Sequence, residues 1–146
     1  MKHMPVESCE SLAAHLATSF PAMNSLPTVV SVAPETVELA WTFTERFLRP
    51  GGTVSGPAMM SLADTAAYVT VLASLGITCQ AVTSSLTIHF LRRPPAADLI
   101  ARGRIRHLGR RQVTVSVEIY SQGLDEVVAD VLVAYTVFTP TPTVVE

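Results

Sequence analysis

Residues 49–76 read RPGGTVSGPAMMSLADTAAYVTVLASLG, a stretch that opens on Gly51-Gly52 and closes at Gly76. Ser55 or Gly56 suits an N-cap. Pro57 then falls in the first helical turn, where a missing N–H and a fixed φ do no harm. Apolar and small residues cover every side of the run after Pro57. The pattern therefore predicts a helix over 56–75 that is buried all round, not one with a wet stripe. Asp64 sits about two turns in, and it is the only formally charged residue between Pro50 and Leu91. A carboxylate in such surroundings is costly unless it is paired or used. Two readings of it stay open. Asp64 is either a structural tip reaching solvent or a hydroxyl such as Ser61 or Thr65, or a pocket group doing acid–base or nucleophilic work.

At 146 residues the chain fits one domain and can bury a real core. With 49% hydrophobic and 15% charged residues it is not a disordered composition. So apolar a small chain is expected to hide surface in an oligomer. A net charge of −2 gives no electrostatic case for nucleic acid. Cys9 and Cys79 are too few for a disulfide framework and lack metal-ligand spacing, so no metal is expected. They read as buried or incidental thiols of a cytoplasmic protein. The opening MKHMPVESCESLAAHL has acidic residues and no long apolar run, unlike a secretory signal. The apolar run from Ala58 to Thr78 is interrupted by Asp64 and several hydroxyls, which argues against a membrane span.

The rest of the chain supplies one short helix and strands. Leu12, His15, Leu16 and Phe20 repeat near helical spacing and predict a helix over 7–20. Strands are expected at 28–33 and at 36–45. In the second, Val37, Leu39, Trp41 and Phe43 alternate with Glu38, Ala40, Thr42 and Thr44. After the central helix come four more. In 81–91, Val82, Leu86, Ile88 and Phe90 share a face with Ser84 until Pro94-Pro95 stops the run. In 98–107, Arg102, Arg104 and Arg106 face away from Ala101, Gly103 and Ile105. In 112–121, Val113, Val115, Val117 and Ile119 alternate with polar residues. In 126–138, Val127, Ala129, Val131, Val133, Tyr135 and Val137 form one face. Short turns make the last three an antiparallel meander. The layout divides the chain into an N-terminal helix and linker (1–27), a single domain (28–139) and a frayed tail (140–146). One all-apolar helix among six strands predicts an α+β fold with a sheet curling around that helix.

This layout and the wording of 49–64 resemble the hotdog-fold acyl-CoA thioesterases of the phenylacetyl-CoA thioesterase-like (PaaI-like) group. There a Gly-rich loop leads to His-Gly-Gly at the helix start, and Leu-x-Asp comes two turns later. The matching residues here are Gly51 to Pro57 and then Leu62-Ala63-Asp64-Thr65-Ala66. AVTSSLTIHFLRRP and IARGRIRHLGRRQVTVSVEIY resemble the family's strand after the helix and its next hairpin, so the resemblance covers roughly 28–138. It implies an antiparallel sheet wrapped around a long central helix, an acyl-CoA substrate that brings coenzyme A with it and no other cofactor, and a dimer or dimer of dimers.

The resemblance also implies roles. Hydrolysing a thioester requires a polarised carbonyl oxygen and an activated water or carboxylate. A helix N-terminus supplies N–H groups and partial positive charge. Gly56 lets its N–H approach closely, whereas Pro57 has no N–H to offer. Asp64 takes the family's general base or nucleophile position, acting across a dimer interface. Thr83, Ser84 and Ser85 match a strand that family members place near the acyl group from the partner subunit. The plainer account is that hydroxyls suit β geometry. Arg92-Arg93 and Arg110-Arg111 at strand ends suit the phosphates of coenzyme A, or are simply solvated charge. His89 and His107 read as structural. The family's His is Ser55 here, its second Gly is Pro57, and Arg49 stands where many members have Asn. Arg49 either contacts an acyl carboxylate or phosphate or lines the rim. These departures keep two alternatives in view: an acyl-CoA binding or sensing module without turnover, and hydration of an enoyl thioester.

Overall fold

A computed structural model describes residues 4–21, 23 and 25–138. The elements run α1 (Cys9–Ser19), β1 (Thr28–Ala33), β2 (Thr36–Trp41), a 3-10 turn (Glu45–Phe47), α2 (Gly56–Leu75), β3 (Gln80–Phe90), β4 (Leu99–Leu108), β5 (Gln112–Ser121) and β6 (Val127–Phe138). The six strands form one antiparallel sheet in the order β1-β2-β4-β5-β6-β3, with α2 against its inner face. This is the hotdog arrangement that the resemblance implied. The expected tail at 140–146 lies outside the described residues.

The helix begins and ends where its sequence says. Ser55 is extended and its Oγ accepts from the Ala58 N–H at 3.2 Å, Pro57 sits in the first turn, and Gly76 stops the helix at φ 96°. Leu62, Ala63, Ala66, Ala67, Val69 and Leu72 are fully buried. The helix is long and apolar enough to cross a membrane, but here the sheet wraps it. Small residues bring the two layers close. At buried Gly103 of β4, a Cβ would overlap the Thr70 hydroxyl of α2. Along β5, Val113, Val115, Val117 and Ile119 all point into this core, as their alternation predicted.

Two strand expectations are corrected. The second strand stops at Trp41, not at residue 45. There the chain leaves the ladder: the Phe43 N–H donates to Asp98 Oδ1 at 2.6 Å, and the 3-10 turn begins. Side chains keep alternating past that point, with Phe43 edge-on to Phe47, so the period of two outlasts the strand. The second correction concerns β3. A bulge between Thr83 and Ser85 breaks the expected face of Val82, Ser84, Leu86, Ile88 and Phe90. Ser84 is the extra residue, and its hydroxyl donates to the Ala134 carbonyl at 3.1 Å. The phase therefore flips before the bulge. Thr83 pairs with Tyr135 on the inner side, while Val82 pairs with Thr136 and is 58% exposed.

The N-terminal segment closes the other end of α2. A capping box between Ser8 and Ser11 starts α1, which buries Leu12 and Leu16. The Glu7 carboxylate accepts from the Ile77 N–H just past the end of α2, and the Val6 N–H donates to Ala73 O.

Candidate active site

The start of α2 offers one N–H. The Ser55 N–H is spent on Phe47 O at 2.6 Å, Pro57 has none, Ala58 is capped by Ser55 Oγ, and Met59 closes the first helical bond to Ser55 O. That leaves the Gly56 N–H at the positive end of a 20-residue helix. The Phe90 ring stands against this glycine, with Cζ only 3.2 Å from where a Cβ would lie. Ser55 accepts through Oγ, so its own hydroxyl proton stays available to donate.

Asp64 is half-buried in a different setting. Its Oδ1 accepts from the Tyr135 hydroxyl at 2.6 Å and from Thr83 Oγ1 at 2.8 Å; the Tyr135 hydroxyl also lies 2.8 Å from the Asp64 carbonyl oxygen. Neither of the expected hydroxyl neighbours serves it: Thr65 Oγ1 donates to Ser61 O instead. The Tyr135 side chain is 3% exposed. Burial first, then the hydrogen bond to Asp64, hold its phenol well above the usual 10.0. It is therefore a neutral donor throughout the working pH range.

A cavity of about 430 Å³ opens on this cluster, walled by Phe20, Met23, Tyr68 and Val82 as well as Asp64 and Tyr135. The Tyr68 ring packs on both Tyr135 and Phe20, and its hydroxyl lies 2.9 Å from His15 Nε2. Burial and the neighbouring Cys79 also raise the Tyr68 phenol. Helix α1 is thereby tied to the cavity wall. A larger groove of about 720 Å³ crosses the outer face of the sheet beside Arg102, Arg104, Glu118 and Asp130. It has no part of the Asp64 cluster and is the polar outer side normal for an antiparallel sheet.

The profile of the thioesterase superfamily matches residues 51–128, a span that holds Gly56, Asp64 and Thr83. The chain belongs to the thioesterase superfamily. It is 33% identical to a candidate thioesterase from Silicibacter sp. TM1040, over 95% of this chain and 97% of the other, with a TM-score of 0.87. A phenylacetic acid degradation-related candidate thioesterase from Ralstonia eutropha JMP134 is 24% identical over 82% of this chain and 89% of its own, with a TM-score of 0.69. A Haemophilus influenzae thioesterase is 16% identical over 95% and 96%, with a TM-score of 0.82. These last two share the fold. Among curated proteins, none matches.

In this thioesterase-superfamily chain the sequence-derived candidates separate into groups. Asp64 and Thr83 meet directly within one chain. Gly56 and Ser55 form the helix start. Ser84 is a bulge residue bound to backbone, and Ser85 pairs with Ala134 on the outer side. Arg92 is engaged by Glu126 at 2.6 Å and by Val127 O at 2.8 Å. Arg49, Arg93, Arg110 and Arg111 are exposed, the last two around shallow hollows beside His107 and Phe138. His89 and His107 lie exposed on β3 and β4, away from Asp64.

Sequence reasoning missed Tyr135 and His15 as site neighbours. The signal for Tyr135 was chemical. It is the one hydroxyl on the otherwise apolar inner face of β6, and a buried Tyr O–H needs a partner.

The raised Tyr135 phenol has a measurable result. The folded chain keeps a proton that the unfolded chain loses near pH 10.0. The stabilisation is complete below that pH, and above it stability declines by about 1.4 kcal/mol per pH unit through this group. Urea unfolding at about pH 9 and about pH 11 is expected to show a smaller decline in Tyr135→Phe than in wild type. Equal declines would contradict it.

Proposed function

We propose that the chain is an acyl-CoA thioesterase that acts as a dimer, the Gly56 N–H of one subunit polarising the thioester carbonyl and Asp64 of the other acting as general base or nucleophile. The observation that carries this is a separation. Asp64 lies eight residues beyond Gly56 on one helix, roughly 12 Å along its axis. A carbonyl bound at Gly56 is out of reach of its own chain's carboxylate, so the two half-sites need a second copy. The exposed edge strand β3, with Val82 and Phe90 uncovered, supports pairing of two chains there.

In the general-base route Asp64 takes a proton from water while the water oxygen bonds to the carbonyl carbon. The C=O electrons move to oxygen, where the Gly56 N–H and the helix dipole stabilise them. Collapse of this intermediate breaks the C–S bond, and the leaving thiolate of coenzyme A receives the proton from Asp64. In the nucleophilic route the carboxylate itself adds to the carbon, and collapse breaks the C–S bond and expels the coenzyme A thiolate to leave a mixed anhydride. Water then hydrolyses the anhydride, restoring the Asp64 carboxylate, freeing the acid and supplying the proton that the thiolate takes. Ser55 replaces the family's His at the helix start, and its free hydroxyl proton is a donor to the same oxygen. Arg49, Arg93, Arg110 and Arg111 are exposed cations at hand for the coenzyme A phosphates, and a cytoplasmic setting fits such a substrate.

The test is release of free coenzyme A from short, medium, long and aryl acyl-CoAs, with a no-substrate control for Cys9 and Cys79. Turnover is expected from protein whose solution mass is at least twice 15.6 kDa. Saturable binding without product would instead favour the sensing module, the reading that Ser55 and Pro57 at the helix start favour. Turnover by monomer would refute the two-subunit site.

A further inference from the structure

We propose that Tyr135, together with Thr83, is a positioning residue for Asp64: it holds Oδ1 and leaves Oδ2 as the only reacting oxygen. The inference rests on the thioesterase reading above and goes beyond it, because β6 lies mostly outside the span that carries the family match.

The geometry is specific. Two hydroxyls from neighbouring strands converge on one carboxylate oxygen at 2.6 and 2.8 Å, and among the described residues no hydrogen bond reaches Oδ2. The Tyr135 hydroxyl is also within 2.8 Å of the Asp64 backbone carbonyl, so the phenol is registered against the helix backbone and the side chain together. A carboxylate with one oxygen free would otherwise rotate about its terminal torsion, which is broad. Two donors on Oδ1 remove that freedom and fix the direction in which the Oδ2 lone pairs point. The β3 bulge is part of the device. Were Ser84 an ordinary ladder residue and not bulged out, the alternation set by Leu86 and Ile88 would turn Thr83 outward. The ring of Tyr135 is in turn held by Tyr68. Its hydroxyl stays protonated, so it donates and does not compete for the proton that Asp64 moves.

Tyr135→Phe removes the hydroxyl and keeps the ring. Roughly a ten- to hundredfold loss of kcat is expected, the scale of small misplacements at a reacting group, with KM changed by less than about twofold because uniform binding is untouched. Thr83→Val is expected to lose kcat in the same manner, and Thr83→Ser to retain it. This pair tests the idea from the edge strand if Tyr135→Phe folds poorly. A spectroscopic readout does not depend on turnover. The infrared carboxylate bands of Asp64, isolated by difference against Asp64→Asn, are expected to shift in Tyr135→Phe. Wild-type kcat in Tyr135→Phe and Thr83→Val, or unmoved carboxylate bands, would overturn the positioning role while leaving the thioesterase reading intact. No turnover by wild type on any thioester would remove the reaction and this role with it.

Discussion

Asp64→Asn is expected to fold, assemble and melt like wild type, yet to lose about 10²- to 10⁴-fold in kcat on every thioester that wild type hydrolyses, the usual contribution of a general base. The structure makes this a clean substitution. The Asn amide oxygen can occupy the Oδ1 position and still accept from Tyr135 and Thr83, so the hydrogen bonds at 2.6 and 2.8 Å survive. What disappears is Oδ2 as an acceptor and the negative charge. A thousandfold loss corresponds to about 4 kcal/mol of transition-state stabilisation. The activity that remains reports what the Gly56 N–H and the helix dipole accomplish alone. Free coenzyme A release measured beside thermal melting decides the matter. A variant within a few-fold of wild type, with an unchanged melt, would mean that Asp64 is structural and that the catalytic carboxylate reading is wrong. Asp64→Ala is a poorer probe, because it leaves the Thr83 hydroxyl and the Tyr135 phenol without their shared acceptor.

The elements that were legible in the sequence are those fixed by local chemistry. Ser55-Gly56-Pro57 and Gly76 bracket α2 because a cap, a tolerated proline and a positive-φ stop act within a few residues. β5 was legible because every second residue is buried. The Asp64 cluster was half legible. A lone carboxylate on an all-apolar helix announces that it needs partners, but the partners come from 19 and 71 residues away. Tyr135 lay on the correct face and carried a hydroxyl with no neighbour to satisfy it, so the pairing of the two unsatisfied groups was within reach. Thr83 was not, because Thr83-Ser84-Ser85 gives no sign of which residue is the extra one. A single added residue moves the side chains before it to the other face of the strand. The overrun of β2 has the opposite cause: Phe43 still packs inward after the ladder has ended, so the side-chain pattern persists without the hydrogen bonds that define a strand.

Gly103→Ala is expected to be the most damaging single-methyl addition in the sheet and to couple stability to the site. Gly103 pairs with Val37 and Val117 at the middle of β4, and Thr70 and Ala66 of α2 press into the space where its side chain would be. A Cβ there would occupy the space of the Thr70 hydroxyl, which itself donates to Ala66 O at 2.7 Å, and it would lie 3.4 Å from that carbonyl. The methyl can be accommodated only if Thr70 leaves its bond or α2 lifts from the sheet. Overpacking of this kind costs about 1–3 kcal/mol. In a chain of this size that lowers the melting temperature by roughly 3–10 °C. Asp64 rides on the same helix less than two turns away, so a lift of about 1 Å would also slow turnover in protein that is still folded. The paired variant separates the causes. Thr70→Ala removes the obstructing hydroxyl, and Gly103→Ala in that background is expected to cost at least about 1 kcal/mol less than in wild type, a coupling typical of residues in contact. Turnover is expected to recover with it. Additive losses in the double mutant would show that the clash is relieved elsewhere and that the spacing between helix and sheet does not set the position of Asp64.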